Sequence, residues 1–130
     1  METSDKVVSH MYLSELEVKI LLDCNDDYVS VWNIMRKQNL QLSTDEPIPE
    51  SIIRNGFAAI YNLLKMDLII AGHFEGGKFT VSSLSADEVI KRLADEKMKF
   101  ESTPLFYVFI YWFDLTKLGK DIVQEIDAIK

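Results

Sequence analysis

The chain has 130 residues, a length that fits one domain and lets it bury a core without disulfide or metal support. Nearly half of the residues (48%) are hydrophobic, which excludes a disordered chain, and no apolar run approaches the length of a transmembrane helix. The single cysteine, Cys24, cannot form an internal disulfide, and residues 1–10 lack the apolar stretch of a secretory signal. We therefore expect a soluble protein of the cytoplasm.

Acidic residues outnumber basic residues by 21 to 14, which gives a net charge of −7. The excess is concentrated in residues 14–50, where eight acids and three bases give a local charge of −5, whereas residues 51–100 carry +1. This distribution disfavours binding of nucleic acid through phosphates and would attract a basic partner. The alternative is that the acidity only keeps a cytoplasmic protein soluble.

The first half of the chain predicts three helices. Ser14 and Glu17 have the spacing of a capping box, so a first helix is expected from there to about Asn25. Apolar residues at helical spacing predict a second helix over Val29–Gln38 and, after a loop, a third over Glu50–Lys65.

The second half predicts a β-hairpin, a helix, a strand and a final helix. Their expected bounds are Leu68–Val81 with Gly76 and Gly77 at the tip, Ser85 to about Lys99, Leu105–Phe113 between Pro104 and Asp114, and Thr116 to about Ile129. The aromatic run of the strand is expected to have both faces in the core, with display of one face to a partner as the alternative.

Two residues inside the predicted helices have particular packing expectations. Gly56 lies within the third helix, which suggests close approach of another backbone. Cys24 lies on the apolar stripe of the first helix, so we expect a packed rather than a reactive thiol. The expected single core contains Leu16, Ile20, Leu21, Ile53, Phe57, Ile60, Leu64, Val89, Leu93, Phe109, Ile122.

The order helix, helix, loop, helix and glycine-tipped hairpin resembles winged helix-turn-helix domains from Leu13 to about Val81. The segment Trp112–Lys120 (WFDLTKLGK) is similar to the aromatic-x-Leu-Thr-x-x-Gly-Lys phrase that follows a sheet strand in many of these proteins. Residues 82–101 come between the hairpin and this phrase, so the resemblance implies an elaborated variant. The expected fold is α+β and winged-helix-like, with about five helices and a small antiparallel sheet made of the hairpin and the aromatic strand. We expect residues 1–12 to form a flexible N-terminus and residues 13–130 to form this one domain.

A DNA-binding member of that superfamily reads the major groove with its third helix. The resemblance implies that the candidate readers here are Arg54, Asn55, Asn62, Lys65. Only two of them are cationic, the preceding helices carry the local charge of −5, and the hairpin tip has Glu75 beside Lys78 in place of a basic wing. DNA-binding transcriptional regulation is therefore the second interpretation.

The sequence lacks a set of residues that would carry catalysis or hold a metal. His10, His73 and Cys24 are the whole supply of His and Cys ligands, and their spacing matches no zinc motif. Gly76-Gly77 has no phosphate-binding fingerprint around it, and the adjacent acids Asp26 and Asp27 are more typical of a capping or solvated loop than of an acid–base pair. We expect no enzyme activity, no metal and no cofactor.

A small acidic domain without a catalytic set fits a protein-binding module, and its overall profile resembles bacterial immunity proteins and antitoxins. That resemblance implies inhibition of a basic, nuclease-type toxin, whose phosphate-binding surface a carboxylate-rich face can cover. The expected contacts are the acids of the two loops that border the second helix, with Tyr28 or Trp32 as an aromatic anchor. The candidate partner-binding residues are Asp23, Asp26, Asp27, Tyr28, Trp32, Asp45, Glu46, Glu50.

Overall fold

The computed structural model describes residues 13–43, 46–99 and 110–129, so the predicted flexible N-terminus lies outside the described residues. Within these ranges the chain forms five helices and a four-stranded antiparallel sheet, which is an α+β fold. In chain order the elements are α1 (Glu15–Asp26), β1 (Val29–Ser30), α2 (Val31–Gln38), α3 (Glu50–Lys65), β2 (Ile69–Glu75), β3 (Lys78–Val81), α4 (Ala86–Lys99), β4 (Trp112–Leu115), α5 (Lys117–Ile129).

The sheet has the strand order β1-β4-β2-β3, so β4 lies between the short strand β1 and the hairpin. Side chains along each strand alternate between its two faces. The inner face is buried and carries Ile69, Ala71, Phe113 and Leu115. The outer face carries Phe74 and Phe79 of the hairpin, paired across the strands, together with Trp112.

Buried residues of all five described helices join the inner face of the sheet in one hydrophobic cluster. Six of the expected core residues are buried: Ile20, Leu21, Ile53, Ile60, Val89, Leu93. Four others are half-buried and pack against that cluster: Leu16, Phe57, Leu64, Ile122. The expected core residue Phe109 lies outside the described residues.

The prediction of one helix over Val29–Gln38 is wrong at its start. Val29 and Ser30 form strand β1, which pairs with β4, and the helix begins only at Val31. The reason is a second capping box, in which the Ser30 Oγ accepts from the Asn33 N–H at 3.2 Å and the Asn33 Oδ1 accepts from the Ser30 N–H at 2.9 Å. Ser30 therefore has extended backbone, and it is both the last residue of β1 and the N-cap of α2.

The last strand also differs from the prediction. Residues 105–109 of the expected Leu105–Phe113 strand lie outside the described residues, and the observed strand covers Trp112–Leu115. Asp114, expected to end the strand, lies within it and pairs with Ile70. Its side chain belongs to the outer face, and its Oδ1 accepts from the Leu115 N–H at 2.8 Å. Trp112 and Asp114 are half-buried, so the outer face of β4 is less covered than expected.

The packing expectation for Gly56 also changes. A Cβ on Gly56 would meet the Met35 Sδ at 2.9 Å, so a side chain of α2, rather than another backbone, approaches this glycine. In the last helix Gly119, Val123 and Ile126 form the inward stripe, and Leu118 is 47% exposed. None of the described helices combines the length and the apolar composition that crossing a membrane requires.

Candidate partner-binding surface

The structure places the predicted acidic residues in two separate groups. Asp26 and Asp27 lie at the end of α1, whereas Glu46 and Glu50 lie in and after the loop that leaves α2. Helix α2, eight residues and therefore about 12 Å long, stands between the two groups. The acids do not form one cluster, and Asp45 lies outside the described residues.

Two of the predicted acids form ion pairs within the fold. Asp23 contacts Lys37 of α2, and the Glu50 Oε2 lies 3.2 Å from the Lys97 Nζ of α4. Burial and the neighbouring charge of Lys19 lower the pKa of Lys37, and the contact with Asp23 acts in the opposite direction. Asp23 and Glu50 are therefore less available to a partner than the other acids.

Asp26 and Asp27 remain exposed where α1 turns into β1. The Asp27 N–H closes the helix on the Asp23 carbonyl at 3.1 Å, and the Asp27 Oδ1 accepts from the Tyr28 N–H at 2.7 Å. This contact with the next residue orients the Tyr28 backbone where the chain leaves the helix. A shallow cleft of about 290 Å³ runs from these acids to Asp114 and Lys120. Three carboxylates and one ammonium thus share the cleft.

Next to this cleft, four aromatic side chains form a continuous cluster on the outer face of the sheet. This aromatic patch consists of Tyr28, Phe74, Phe79 and Trp112. The Tyr28 ring stacks on Phe79 at 4.7 Å between centroids and meets Phe74 edge-on at 5.0 Å. Phe74 in turn packs edge-on against Phe79 and Trp112, each at 5.7 Å. The relative exposures of 41% for Phe74 and 36% for Tyr28 leave this patch open to a partner.

The hairpin register explains why these rings meet. The turn at Gly76 and Gly77 has positive φ at both glycines and pairs Glu75 with Lys78, which puts Phe74 directly opposite Phe79. Gly72 then makes room for the Phe79 ring, whose Cζ would lie only 2.6 Å from a Cβ at that position. Val81 continues the outer face beside Gly72 and is 56% exposed.

Sequence reasoning found one member of the patch, Tyr28, and missed Phe74, Phe79 and Trp112 as surface residues. The sequence of the hairpin tip could have identified two of them. Pairing Glu75 with Lys78 across the two glycines places Phe74 directly opposite Phe79. Trp32, the alternative anchor, is half-buried and packs against the core.

The Cys24 thiol lies 3.9 Å from the Phe113 carbonyl, and burial, with a smaller effect of Asp114, raises the pKa of Cys24 to about 12.

The four candidate DNA readers lie on the exposed side of α3, but two of them already have intramolecular partners. The Asn62 Nδ2 donates to the buried Glu17 Oε2 at 3.0 Å, and the Lys65 Nζ lies 5.9 Å from the centre of the Tyr61 ring. Arg54 and Asn55 are exposed.

The described residues contain no group of three or more His, Cys, Asp or Glu side chains placed to hold a metal ion. Comparison with known proteins finds no matching family, no matching curated protein and no matching solved structure.

Proposed function

We propose that this protein is a protein-binding module of the immunity or antitoxin kind, which binds a basic protein such as a nuclease-type toxin. The observation that carries the proposal is the aromatic patch, exposed beside the cleft that Asp26, Asp27 and Asp114 share. The expected place of action is the cytoplasm.

An aromatic cluster edged by carboxylates has the composition of a specific interface. Aromatic side chains are enriched at interface centres, where they supply most of the binding energy, and charged residues occupy the rim. Tyr28 suits the central position because Phe74 and Phe79 already hold its ring in place, so little side-chain entropy is lost on binding.

The carboxylates determine which partners fit. A toxin that cleaves nucleic acid presents Lys and Arg side chains to phosphates, and a patch edged by three acids can occupy such a surface. Lys120 in the same cleft reduces the local negative charge, so part of the selectivity must come from the aromatic contacts. The partner expected here is basic and has an apolar contact point at the centre of its binding surface.

The second candidate function is DNA binding by a winged-helix-like domain. It is supported by the chain order of three helices followed by a hairpin and by the exposure of Arg54 and Asn55 on α3. The engagement of Asn62 with Glu17 and the acidic residue at the hairpin tip favour the protein-binding proposal.

The test is capture of the partner from the native host at low salt, followed by identification and stoichiometry. Wild type is expected to retain a basic protein in one-to-one ratio, and Phe74→Ser is expected to lose it. Leu118→Ser is the matched control, because Leu118 is a similarly exposed apolar residue (47% against 41%) on α5. Retention by Phe74→Ser, or loss by both variants, would contradict the proposed surface. Capture of duplex DNA that depends on Arg54 and Lys65 would favour the regulator.

A further inference from the structure

A second cleft lies between the end of the hairpin and helix α4. Its volume is about 410 Å³, within the usual size of small-molecule sites. The lining is rich in polar side chains: His73, Ser82, Ser83, Arg92, Tyr111. The proposed protein-binding surface uses none of these five residues.

The Tyr111 hydroxyl is the unusual group in this cleft. Tyr111 is only 4% exposed, yet its hydroxyl makes no hydrogen bond of regular geometry within the part of the chain that the structure describes. A buried hydroxyl without a well-formed hydrogen bond is costly, so such a group in a folded protein calls for an explanation, and a bound water or ion is one. Burial raises the pKa of Tyr111, and Arg92 opposes that effect through its positive charge and through a hydrogen bond of its side chain to the phenol. The phenol and the guanidinium are therefore close neighbours.

Arg92 lies on the exposed side of α4, and its side chain lines this cleft. Val89 and Leu93 of the same helix are buried, which fixes the orientation of α4 around Arg92. Glu88, one turn earlier, is used as a cap: its Oε1 accepts from the Ser85 N–H at 2.9 Å. The guanidinium thus brings donors to the cleft, while the Glu88 carboxylate is engaged at the start of the helix.

The hydroxyl of Ser82 adds a further donor at the hairpin side. Its Oγ accepts from the Leu84 N–H at 3.2 Å, which leaves its proton for another acceptor. The Ser82 N–H continues the hairpin by donating to the Ala71 carbonyl at 2.8 Å, so the position of this residue is fixed by backbone pairing. Arginine can only donate, and the hydroxyls of Tyr111 and Ser82 each carry a proton to donate, so the three side chains together present hydrogen-bond donors to a bound acceptor.

We propose that this cleft binds a small oxyanion, the carboxylate or phosphate group of a metabolite, through Arg92 and Tyr111, with Ser82 at its edge. An anionic oxygen accepts hydrogen bonds from guanidinium and hydroxyl groups together, which satisfies the buried phenol. The carboxylate of Glu88 stays nearby and acts electrostatically on Tyr111, so the site suits one oxyanion group rather than a polyanion. This inference does not depend on the proposed protein-binding function.

The test is an NMR titration of the ¹⁵N-labelled full chain with inorganic phosphate and, separately, with acetate, at ionic strength held constant with chloride. We expect saturable shifts at the Ser82, Ser83 and Leu84 amides. Arg92→Gln and Tyr111→Phe should each weaken the fitted affinity at least about tenfold, since each removes a hydrogen bond to a charged group. Arg54→Gln, which removes an exposed guanidinium on α3, is the matched control and should leave the affinity unchanged.

The outcomes separate the two ligand classes and the structural explanation. Saturation by acetate alone identifies a carboxylate, and saturation by phosphate alone identifies a phosphate. No saturation by either up to about 50 mM, well above the millimolar constants expected for a few such contacts, overturns the proposal. Tyr111→Phe should keep the melting temperature of the ligand-free protein. A marked drop would show that the hydroxyl has a structural partner, which also overturns the proposal.

Discussion

Cys24 lies under the sheet, where its thiol faces the Phe113 carbonyl and not solvent. Because its pKa rises from an ordinary 9.0 to about 12, almost none of it is thiolate at neutral pH, and thiolate is the reactive form. We expect the native protein to react with a thiol reagent at pH 8 only through unfolding, and the denatured protein to react at once. Fast labelling of the folded protein would contradict this burial.

The same shift predicts how stability depends on pH in alkaline solution. Between about pH 9 and 12 the folded state keeps a proton on Cys24 that the unfolded state releases, so the free energy of unfolding falls as pH rises. The slope due to this group should be at most about 1.4 kcal/mol per pH unit. The contribution of Cys24 to this slope is measured by comparing the free energies of unfolding of wild type and Cys24→Ala across this pH range. Parallel curves would show that Cys24 titrates normally.

Gly119 is required by a close contact between α5 and the start of the sheet. A Cβ there would collide with the Leu68 carbonyl oxygen and come within 3.1 Å of the Leu115 side chain. Because backbone cannot move aside as a side chain can, Gly119→Ala should lower the free energy of unfolding by about 1–3 kcal/mol, although alanine favours helices. Gln124→Ala, at an exposed position of the same helix, should be neutral or slightly stabilising. Chemical denaturation of both variants measures the difference.

Helices whose limits are marked by local side-chain contacts were predictable from sequence. The capping boxes at Ser14 and Ser85 place the starts of α1 and α4, and the Thr116 Oγ1, which accepts from the Gly119 N–H at 2.9 Å, caps α5 as expected. The same Thr116 hydroxyl donates to the Asp67 carbonyl at 2.6 Å, a tertiary contact that no local pattern reveals. Capping depends on residues three apart, so its signal is present in the sequence itself.

Elements held by distant pairing were not predictable in this way. Strand β1 has two residues and exists because Val29 and Ser30 pair with Phe113 and Trp112, more than 80 positions later. The aromatic patch has the same origin, since β1 and β4 must come together before Tyr28 reaches the hairpin rings. Tyr28 and Phe74 are far apart in the sequence, and no local pattern indicates that they meet. Only part of the candidate surface could therefore be predicted.

Ser30 offers a test of capping at the element scale. Its side chain caps α2 from a fully buried position, whereas Ser14 caps α1 at the surface. Water can replace the lost hydroxyl at Ser14 but not at Ser30, so Ser30→Ala should cost about 1–2 kcal/mol and Ser14→Ala about 0.5–1 kcal/mol. Urea denaturation of the two single variants makes the comparison. Equal losses would contradict the role of burial.

At the scale of the whole molecule, the net charge of −7 divides into acids with different roles. Glu17 is buried between the Ser14 N–H and Asn62, and Asp23 and Glu50 pair with lysines, so these acids serve the fold. Asp26 and Asp27 are exposed, with Asp114 half-buried beside them, next to the aromatic patch. Under the proposed function, the acids available for recognition beside the aromatic patch are therefore those at the end of α1 together with Asp114.

This division predicts how the captured partner should respond to charge removal. In the triple variant Asp26→Asn, Asp27→Asn, Asp114→Asn, the association rate constant should fall more than the dissociation rate constant rises, because rim charges steer the encounter. The loss should shrink as salt increases from about 0.05 to 0.5 M, since the Debye length falls from about 14 Å to about 4 Å. Stopped-flow or surface-based kinetics at both salt concentrations supplies the measurement. A second triple variant, Asp87→Asn, Asp95→Asn, Asp127→Asn, removes the same charge from exposed positions on α4 and α5 and should change association much less. Equal slowing by the two variants would mean that only net charge matters, and the acids beside the aromatic patch would lose their assigned role.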